Sequence, residues 1–232
     1  MSKHKFDLKN SYQAWVAHWK DKTRHDEAMS CAVGGNFELV GSIECALLKY
    51  YGLQSDHYVI DVGCGSGRLA KPLSAYLSGP YLGTDLVTDL IDYARKISGR
   101  LDWRFEVSDY IGIPEQDGQA DVVCFFSVLT HLLHEQSYWY LEEAKRVLKP
   151  GGKIIFSFLE FRCEGHWPIF LSTLQQAQTG GIHPLNVFID REAIHVWANH
   201  LGLAIEDIRD ASDAIVSEGA LGQSLCVMSL PS

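Results

Sequence analysis

Short apolar runs alternate with helical stretches along most of the chain, and that alternation predicts the architecture before any single residue is weighed. Over residues 8–19 the apolar positions Leu8, Tyr12, Trp15, Val16 and Trp19 recur at helical intervals, predicting an amphipathic helix. A polar link over 21–30 follows. Gly34-Gly35-Asn36 marks a turn, with Asn36 placed to cap a helix through Val40, Ile43, Leu47 and Tyr51. Residues 58–62, 81–85, 103–107 and 121–126 are short runs rich in β-branched or aromatic side chains and read as strands, with helices over 69–77 and 90–97 between them. The run Asp121-Val122-Val123-Cys124-Phe125-Phe126 is nearly all apolar, as a parallel strand buried on both faces must be. A helix over 135–148 stops at Lys149-Pro150-Gly151-Gly152, and a fifth strand covers 153–158. The stretch 160–184 is longer than a typical connection, and long connections in compact domains usually carry function. A helix over 190–201 ends at Gly202, and strands over 203–208 and 224–229 form a closing, hairpin-like pair. Strands alternating with helices in this way predict an α/β sheet covered on both faces.

Composition narrows the partners. At 232 residues the chain suffices for one well-buried domain over 1–232, with 1–55 a helical cap ahead of the sheet. A net charge of -9 with no basic stripe argues against nucleic acid, whose affinity rests largely on Lys and Arg neutralising phosphates. Met1-Ser2-Lys3-His4-Lys5-Phe6-Asp7 lacks the apolar core of a signal peptide and no apolar run approaches a membrane span, so a cytoplasmic protein without membrane contact is expected. Cys31, Cys45, Cys64, Cys124, Cys163 and Cys226 are scattered without a Cys-x-x-Cys pair and read as reduced thiols.

The chemistry is organised around Val59-Ile60-Asp61-Val62-Gly63-Cys64-Gly65-Ser66-Gly67-Arg68, a buried strand running into a glycine turn. Glycines there let a ligand lie against the peptide units at the start of a helix. The dinucleotide fingerprint needs its third glycine at the sixth position, where this chain has Arg68, which disfavours a nicotinamide cofactor. Gly63, Gly65 and Gly67 are instead evenly spaced, and Asp61 offers a carboxylate to a ligand bearing an ammonium group. Asp85 closes the next strand about 20 residues past the turn, where a carboxylate can accept both hydroxyls of a ribose.

Asp61-Val62-Gly63-Cys64-Gly65-Ser66-Gly67 resembles the first motif of the class I S-adenosylmethionine (SAM)-dependent methyltransferases, and Arg146-Val147-Leu148-Lys149-Pro150-Gly151-Gly152 is similar to a late motif of the same family. The resemblance implies a Rossmann-like, doubly wound, mostly parallel seven-stranded sheet with an antiparallel terminal strand and an N-terminal helical extension. SAM is then the cofactor and S-adenosylhomocysteine (SAH) the product. Asp61, Gly63, Cys64, Gly65 and Gly67 would hold the methionine side, with Gly34 and Gly35 near its end. Asp85 and Leu86 would hold the ribose, Asp109 and Tyr110 the adenine, and Phe126 would lie where the acceptor approaches.

Methyl transfer asks the protein to position the acceptor, exclude water and, where needed, remove a proton. His131, just past the fourth strand, is the best placed base; His18, His25, His166 and His183 are further candidates, and each can instead be structural. Tyr12, Trp15 or Trp19 could face the sulfonium by cation–π contact or simply pack in the core. The stretch 160–185, with Arg162, His166, Trp167, Phe170, Gln175 and His183, is the candidate acceptor-side insertion. Phe126-Ser127-Val128-Leu129 stands where methyltransferases of base amino groups carry Asn/Asp-Pro-Pro-Tyr/Phe, Cys124 lies inside a strand, and no carboxylate cluster near Asp121 suggests a metal. The expected activity is therefore methylation of a small molecule or sugar, most readily at a hydroxyl. A small amine as acceptor, a SAM-binding protein without catalysis, and an NAD(P) oxidoreductase are the alternatives.

Overall fold

The computed structural model describes residues 8–180 and 185–231. Three helices precede the sheet: α1 (Leu8–Lys22), α2 (His25–Ala32) and α3 (Phe37–Tyr50). The expected polar link over 21–30 is thus largely helical. Asp26 and Glu27 stand in the first turn of α2, favourable at the positive end of a helix dipole, and Ala28, Met29 and Ala32 are its buried residues. Asn36 caps α3 as its sequence predicts, its side chain accepting from the Leu39 amide at 3.1 Å.

The sheet follows with β1 (Val59–Val62), α4 (Ala70–Ser74), β2 (Tyr81–Asp85), α5 (Thr88–Ser98), β3 (Arg104–Val107), β4 (Ala120–Phe125), α6 (His134–Val147) and β5 (Leu148–Phe158). Then come α7 (Trp167–Thr179), α8 (Arg191–Leu201), β6 (Ala204–Arg209) and β7 (Ser224–Ser229). The seven strands lie in the order β3-β2-β1-β4-β5-β7-β6. β7 runs antiparallel to both β5 and β6, while the β1–β5 pairings are all parallel. The order reverses between β1 and β4, and the crevice beyond their carboxyl ends is where open sheets of this kind bind ligands.

Alternate residues of each strand supply the two sides of the core. Ile60, Val123, Phe125, Ile154 and Phe156 pack with Leu141 and Ala144 of α6 and Ile194 and Ala198 of α8. Val59, Val122, Cys124 and Ile155 pack with Leu47 and Leu48 of α3, Leu73 of α4 and Ile91 of α5. Val16, Ala28, Met29 and Ala32 form a third cluster with Val87 and Leu90, seating α1 and α2 on the link between β2 and α5.

Two predicted elements differ in extent. α4 is only five residues long, because Pro72 carries no N–H to give to the previous turn; the Leu77 amide still reaches Leu73 at 2.8 Å. Lys149-Pro150-Gly151-Gly152 is an irregularity within β5, looping out between the Ala120–Leu148 and Val122–Lys153 pairings. The connection after β5 folds into a 3₁₀ turn, Glu164–His166, and α7, which buries none of its residues. His183 lies outside the described residues.

Gly67 and Gly118 both have positive φ, 86° and 68°, but a Cβ on Gly67 would meet the Ala94 Cα of α5 at 2.8 Å while one on Gly118 would meet nothing within 4 Å. In urea denaturation Gly118→Ala is predicted to cost about 1–2 kcal/mol for backbone strain alone, and Gly67→Ala at least about 1 kcal/mol more through overpacking. Equal losses would contradict the close approach of α5 to the glycine turn.

Candidate functional site

The glycine turn is held in place by β2. Asp85 at the end of that strand accepts the Gly65 amide at 3.1 Å through one oxygen and the Val87 amide at 3.0 Å through the other, and the Cys64 amide reaches the Thr84 carbonyl at 2.9 Å. Each carboxylate oxygen keeps a further lone pair for a ligand hydroxyl. Gly63, Gly65 and Gly67 all have positive φ, 70°, 54° and 86°. A Cβ on Gly63 would lie 2.5 Å from Val128, and one on Gly65 2.6 Å from Val33. The turn is a cradle that side chains would fill.

Two cavities meet over it, sharing Tyr12, Gly63 and Asp85. The larger, about 430 Å³, is walled by Leu86, Ile111, Val128, Leu132, Leu133 and Tyr140, with Asp85, Ser108, Asp109 and Gln136 as polar points. The smaller, about 80 Å³, has Glu44, Asp61, Cys64, Arg68, Phe126, Ser127 and His131 in its wall. An apolar slot with a few placed polar groups suits a nucleoside, and a narrow acidic pocket beside it suits an amino acid end. Donor set and cradle together fit SAM.

Of the predicted cofactor residues, Asp61, Gly63, Cys64, Gly65, Asp85, Leu86, Asp109, Tyr110 and Phe126 line one or both cavities. Gly67 lies behind the turn, against α5. Gly34 and Gly35 line neither cavity; Ala32 and Val33 do, and the Gly34 carbonyl instead accepts from Arg68 at 3.2 Å. Asp109 is largely exposed and pairs with Lys9 of α1 at 3.2 Å.

Residues 60–156 match the methyltransferase domain family. The ubiquinone biosynthesis O-methyltransferase of Coxiella burnetii is 28% identical over 160 residues, 65% of each chain, and that of Xanthomonas oryzae is 27% identical over 157 residues, 65% of this chain and 64% of the relative. The match therefore spans less than two thirds of the length of those relatives. Among solved structures, magnesium protoporphyrin IX methyltransferase from Synechocystis with bound SAH superposes with a TM-score of 0.65 at 18% identity, covering 97% of this chain and 96% of that one. A SAM-dependent methyltransferase from Aquifex aeolicus gives 0.60 at 18% identity, covering 92% and 97%. Residues 60–156 are thus similar to the methyltransferase domain family, and the fold is that of SAM-dependent methyltransferases.

Several elements of this site escape a reading of sequence alone. Arg68 forms a buried ion pair with Glu44 of α3 at 2.5 Å and donates to the Val33 and Gly34 carbonyls, pinning the helical cap to the glycine turn. The readable sign was Glu44 itself, a charge within the apolar run Ile43-Glu44-Cys45-Ala46-Leu47-Leu48. Tyr12 lines both cavities and sets its ring edge-on to His131 at 5.5 Å. Trp15 and Trp19 line neither cavity; Trp15 donates to the Ala32 carbonyl at 3.1 Å, and Trp19 packs in the cap cluster.

The histidines separate by surroundings. His131 Nδ1 lies 2.5 Å from the Leu185 carbonyl, so that nitrogen carries the proton, and burial holds the ring's pKa below its ordinary value. The ring is then neutral, and Nε2, which has no hydrogen-bond partner among the described residues, can accept. His166 is buried between the Glu160 amide at 3.1 Å and the Gly222 carbonyl at 3.3 Å, a structural tie. His18 stacks on Trp15 and His25 meets Tyr93 edge-on, and neither lines the two cavities. Among the described residues no His, Cys, Asp and Glu side chains group as a metal site, and no single helix is long and apolar enough to cross a membrane.

Burial pushes Asp61 up to about 7, against a hydrogen bond from the Tyr81 hydroxyl at 2.7 Å, and pushes Asp85 up to about 6. Because both native values lie above the unfolded one, the stability they contribute is complete below about pH 4 and lost as pH rises toward 7. A bound ammonium favours the ionised carboxylates, so SAH affinity is predicted to rise between about pH 5 and about pH 8 with proton release on binding. Calorimetry in buffers of different ionisation enthalpy measures this, and a flat profile would contradict it. Asp85→Ala should weaken SAH by about 1.5–3 kcal/mol through lost charge-assisted hydrogen bonds; unchanged affinity would remove the ribose assignment.

Proposed function

We propose that this enzyme moves the methyl group of SAM to a hydroxyl oxygen of a small molecule or sugar, releasing SAH. The observation that carries the oxygen assignment is His131, neutral, with its protonated nitrogen on the Leu185 carbonyl and its ring in the wall of the cavity that Tyr12 closes. A base in that state takes a proton from a hydroxyl. The similarity to proteins named ubiquinone biosynthesis O-methyltransferases supports the same reading.

When bound, SAM supplies a carbon already activated by its sulfonium. The chain's own part begins with Asp61 and Asp85, which receive the ammonium and ribose hydroxyls while the glycine turn brings its backbone against the ligand. Asp109 and Tyr110 border the adenine slot. Tyr12 lies where the two cavities join, so its ring is the aromatic of α1 that faces the sulfonium. Bound SAM would supply the methyl carbon to the acceptor oxygen, and His131 Nε2 would take up the hydroxyl proton. The insertion over 160–185 borders the acceptor. Its return segment reaches the His131 turn twice, through the Leu185 carbonyl and through the Val187 amide on the Thr130 carbonyl at 2.7 Å. Residues 1–232 act as one domain, working in the cytoplasm on a small-molecule partner.

Methyl-labelled SAM incubated with the protein and fractionated cell extract is predicted to place label in hydroxyl-bearing small molecules or glycans; label confined to protein or nucleic acid would overturn the acceptor class. His131→Gln should lower turnover at saturating substrate by about 10²–10⁴-fold with SAH affinity preserved. A wild-type rate would remove its role as base.

A further inference from the structure

We propose that Tyr81 is a positioning residue of the cofactor site: its hydroxyl, bonded to Asp61 from behind the cavity wall, keeps that carboxylate available to the ammonium of SAM and so sets the pH above which the cofactor is taken up. The proposal rests on the reading that Asp61 receives the ammonium, and adds the residue that enables it to do so.

Asp61 is a carboxylate on the core side of a central strand. Its Cα partners across the sheet are Gly83 of β2 and Cys124 of β4, and Cys124 and Tyr81 belong to the apolar cluster that packs with α3, α4 and α5. Tyr81 lies two residues before Gly83 on the same strand and so points to the same face. A side chain at position 83 would stand between Tyr81 and Asp61. The φ of Gly83 is not positive, yet a Cβ there would lie 3.0 Å from Tyr81 Cε1, 2.9 Å from Cys64 Sγ and 3.0 Å from Phe105 Cδ1. This glycine therefore provides space rather than a special backbone, and the Tyr81 ring lies across it. Trp103 stacks on the buried ring with centroids 4.5 Å apart, and Phe105 tilts against it at 5.5 Å. The hydroxyl fixed in this way donates to Asp61 Oδ2 at 2.7 Å.

The other carboxylate oxygen is left for a ligand. Cys124 Sγ lies 3.7 Å from Asp61 Oδ1 and 3.6 Å from the Ile60 carbonyl, a weak donor shared between two acceptors. Asp61 itself stands in the wall of the smaller cavity, where Tyr12, Glu44, Cys64, Arg68, Asp85 and His131 are the other titratable groups. Burial drives its carboxyl toward the neutral form, which cannot pair with an ammonium, and Glu44 of α3 pushes the same way. The Tyr81 hydrogen bond is the largest influence in the opposite direction, ahead of Cys124 and Arg68. Arg68 is itself committed to Glu44 at 2.5 Å. Burial and the Asp61 carboxylate hold the Tyr81 phenol well above its ordinary value, so it keeps its proton and remains a donor. A hydrogen bond to the charged form of an acid favours that form.

The test measures by calorimetry the affinity of the whole protein for SAH and for methylthioadenosine, which keeps the ribose and thioether but has no amino acid end, from about pH 5.5 to about pH 8.5. The ratio of the two affinities separates Asp61 from Asp85, whose ribose both ligands share. In the wild type that ratio is predicted to rise through about pH 7. Tyr81→Phe removes the hydroxyl and keeps the ring. Its midpoint is predicted to move up by about one pH unit, so that SAH binds nearly tenfold more weakly at about pH 6 and within about twofold of wild type at about pH 8.5. Methylthioadenosine should stay within about twofold of wild type at every pH. Should that variant fail to fold, Gly83→Ala, whose methyl displaces the ring edge, is predicted to raise the midpoint in the same way. An unmoved midpoint, or a loss equal at every pH and shared by methylthioadenosine as packing alone would give, overturns the proposal. A wild-type ratio that is flat with pH would remove the ammonium reading, and the proposal with it.

Discussion

The hydrogen bond from the Gly65 amide to the Asp85 carboxylate ties the tip of β1 to the tip of β2, and the rest of the site is built on it. The bond requires a backbone that turns three times through positive φ in five residues and passes against α5 with no room for a Cβ at Gly67. Meeting that requirement opens a cradle at the point where the strand order reverses. It also leaves a buried carboxylate whose remaining lone pairs face a ligand. The helical cap then closes over the cradle through one buried ion pair, Arg68 with Glu44, so cofactor pocket and cap form one mechanical unit.

Charge explains why such a site suits this ligand. Burial raises Asp61 and Asp85 far above ordinary carboxylates, and Glu44 is pushed the same way by burial while Arg68 opposes the shift. Such groups carry a desolvation cost that a cationic ligand relieves. SAM brings an ammonium and a sulfonium into the same crevice. A pyridine dinucleotide would bring a pyrophosphate to this acidic wall, which agrees with the misplaced third glycine.

The sheet was legible in the sequence because its strands are written as short apolar runs closed by acids or glycines. β2 and β7 begin and end where their sequences predict, and the cap at Asn36 follows from residue type alone, whereas Asp190, expected within the helix, instead caps α8 by accepting from the Glu192 amide. What stayed hidden depends on contacts between distant parts of the chain. α2 buries two small alanines and one methionine, too weak a stripe to mark a helix within a polar stretch. The exposed α7 follows no amphipathic pattern that a core would impose. Tyr12 could not be told from Trp15 and Trp19 as the aromatic at the cavity junction until α1 was placed over the crevice.

SAM would lie across the glycine turn with its ribose on Asp85 and its sulfur beside Tyr12. The most direct measurement is a crystal structure of the chain with SAH. Both ribose hydroxyls are expected on the Asp85 carboxylate, the adenine between Leu86 and Ile111, and the thioether sulfur facing Tyr12 and His131. Density for SAH outside the two joined cavities, or a ribose turned away from Asp85, would contradict it.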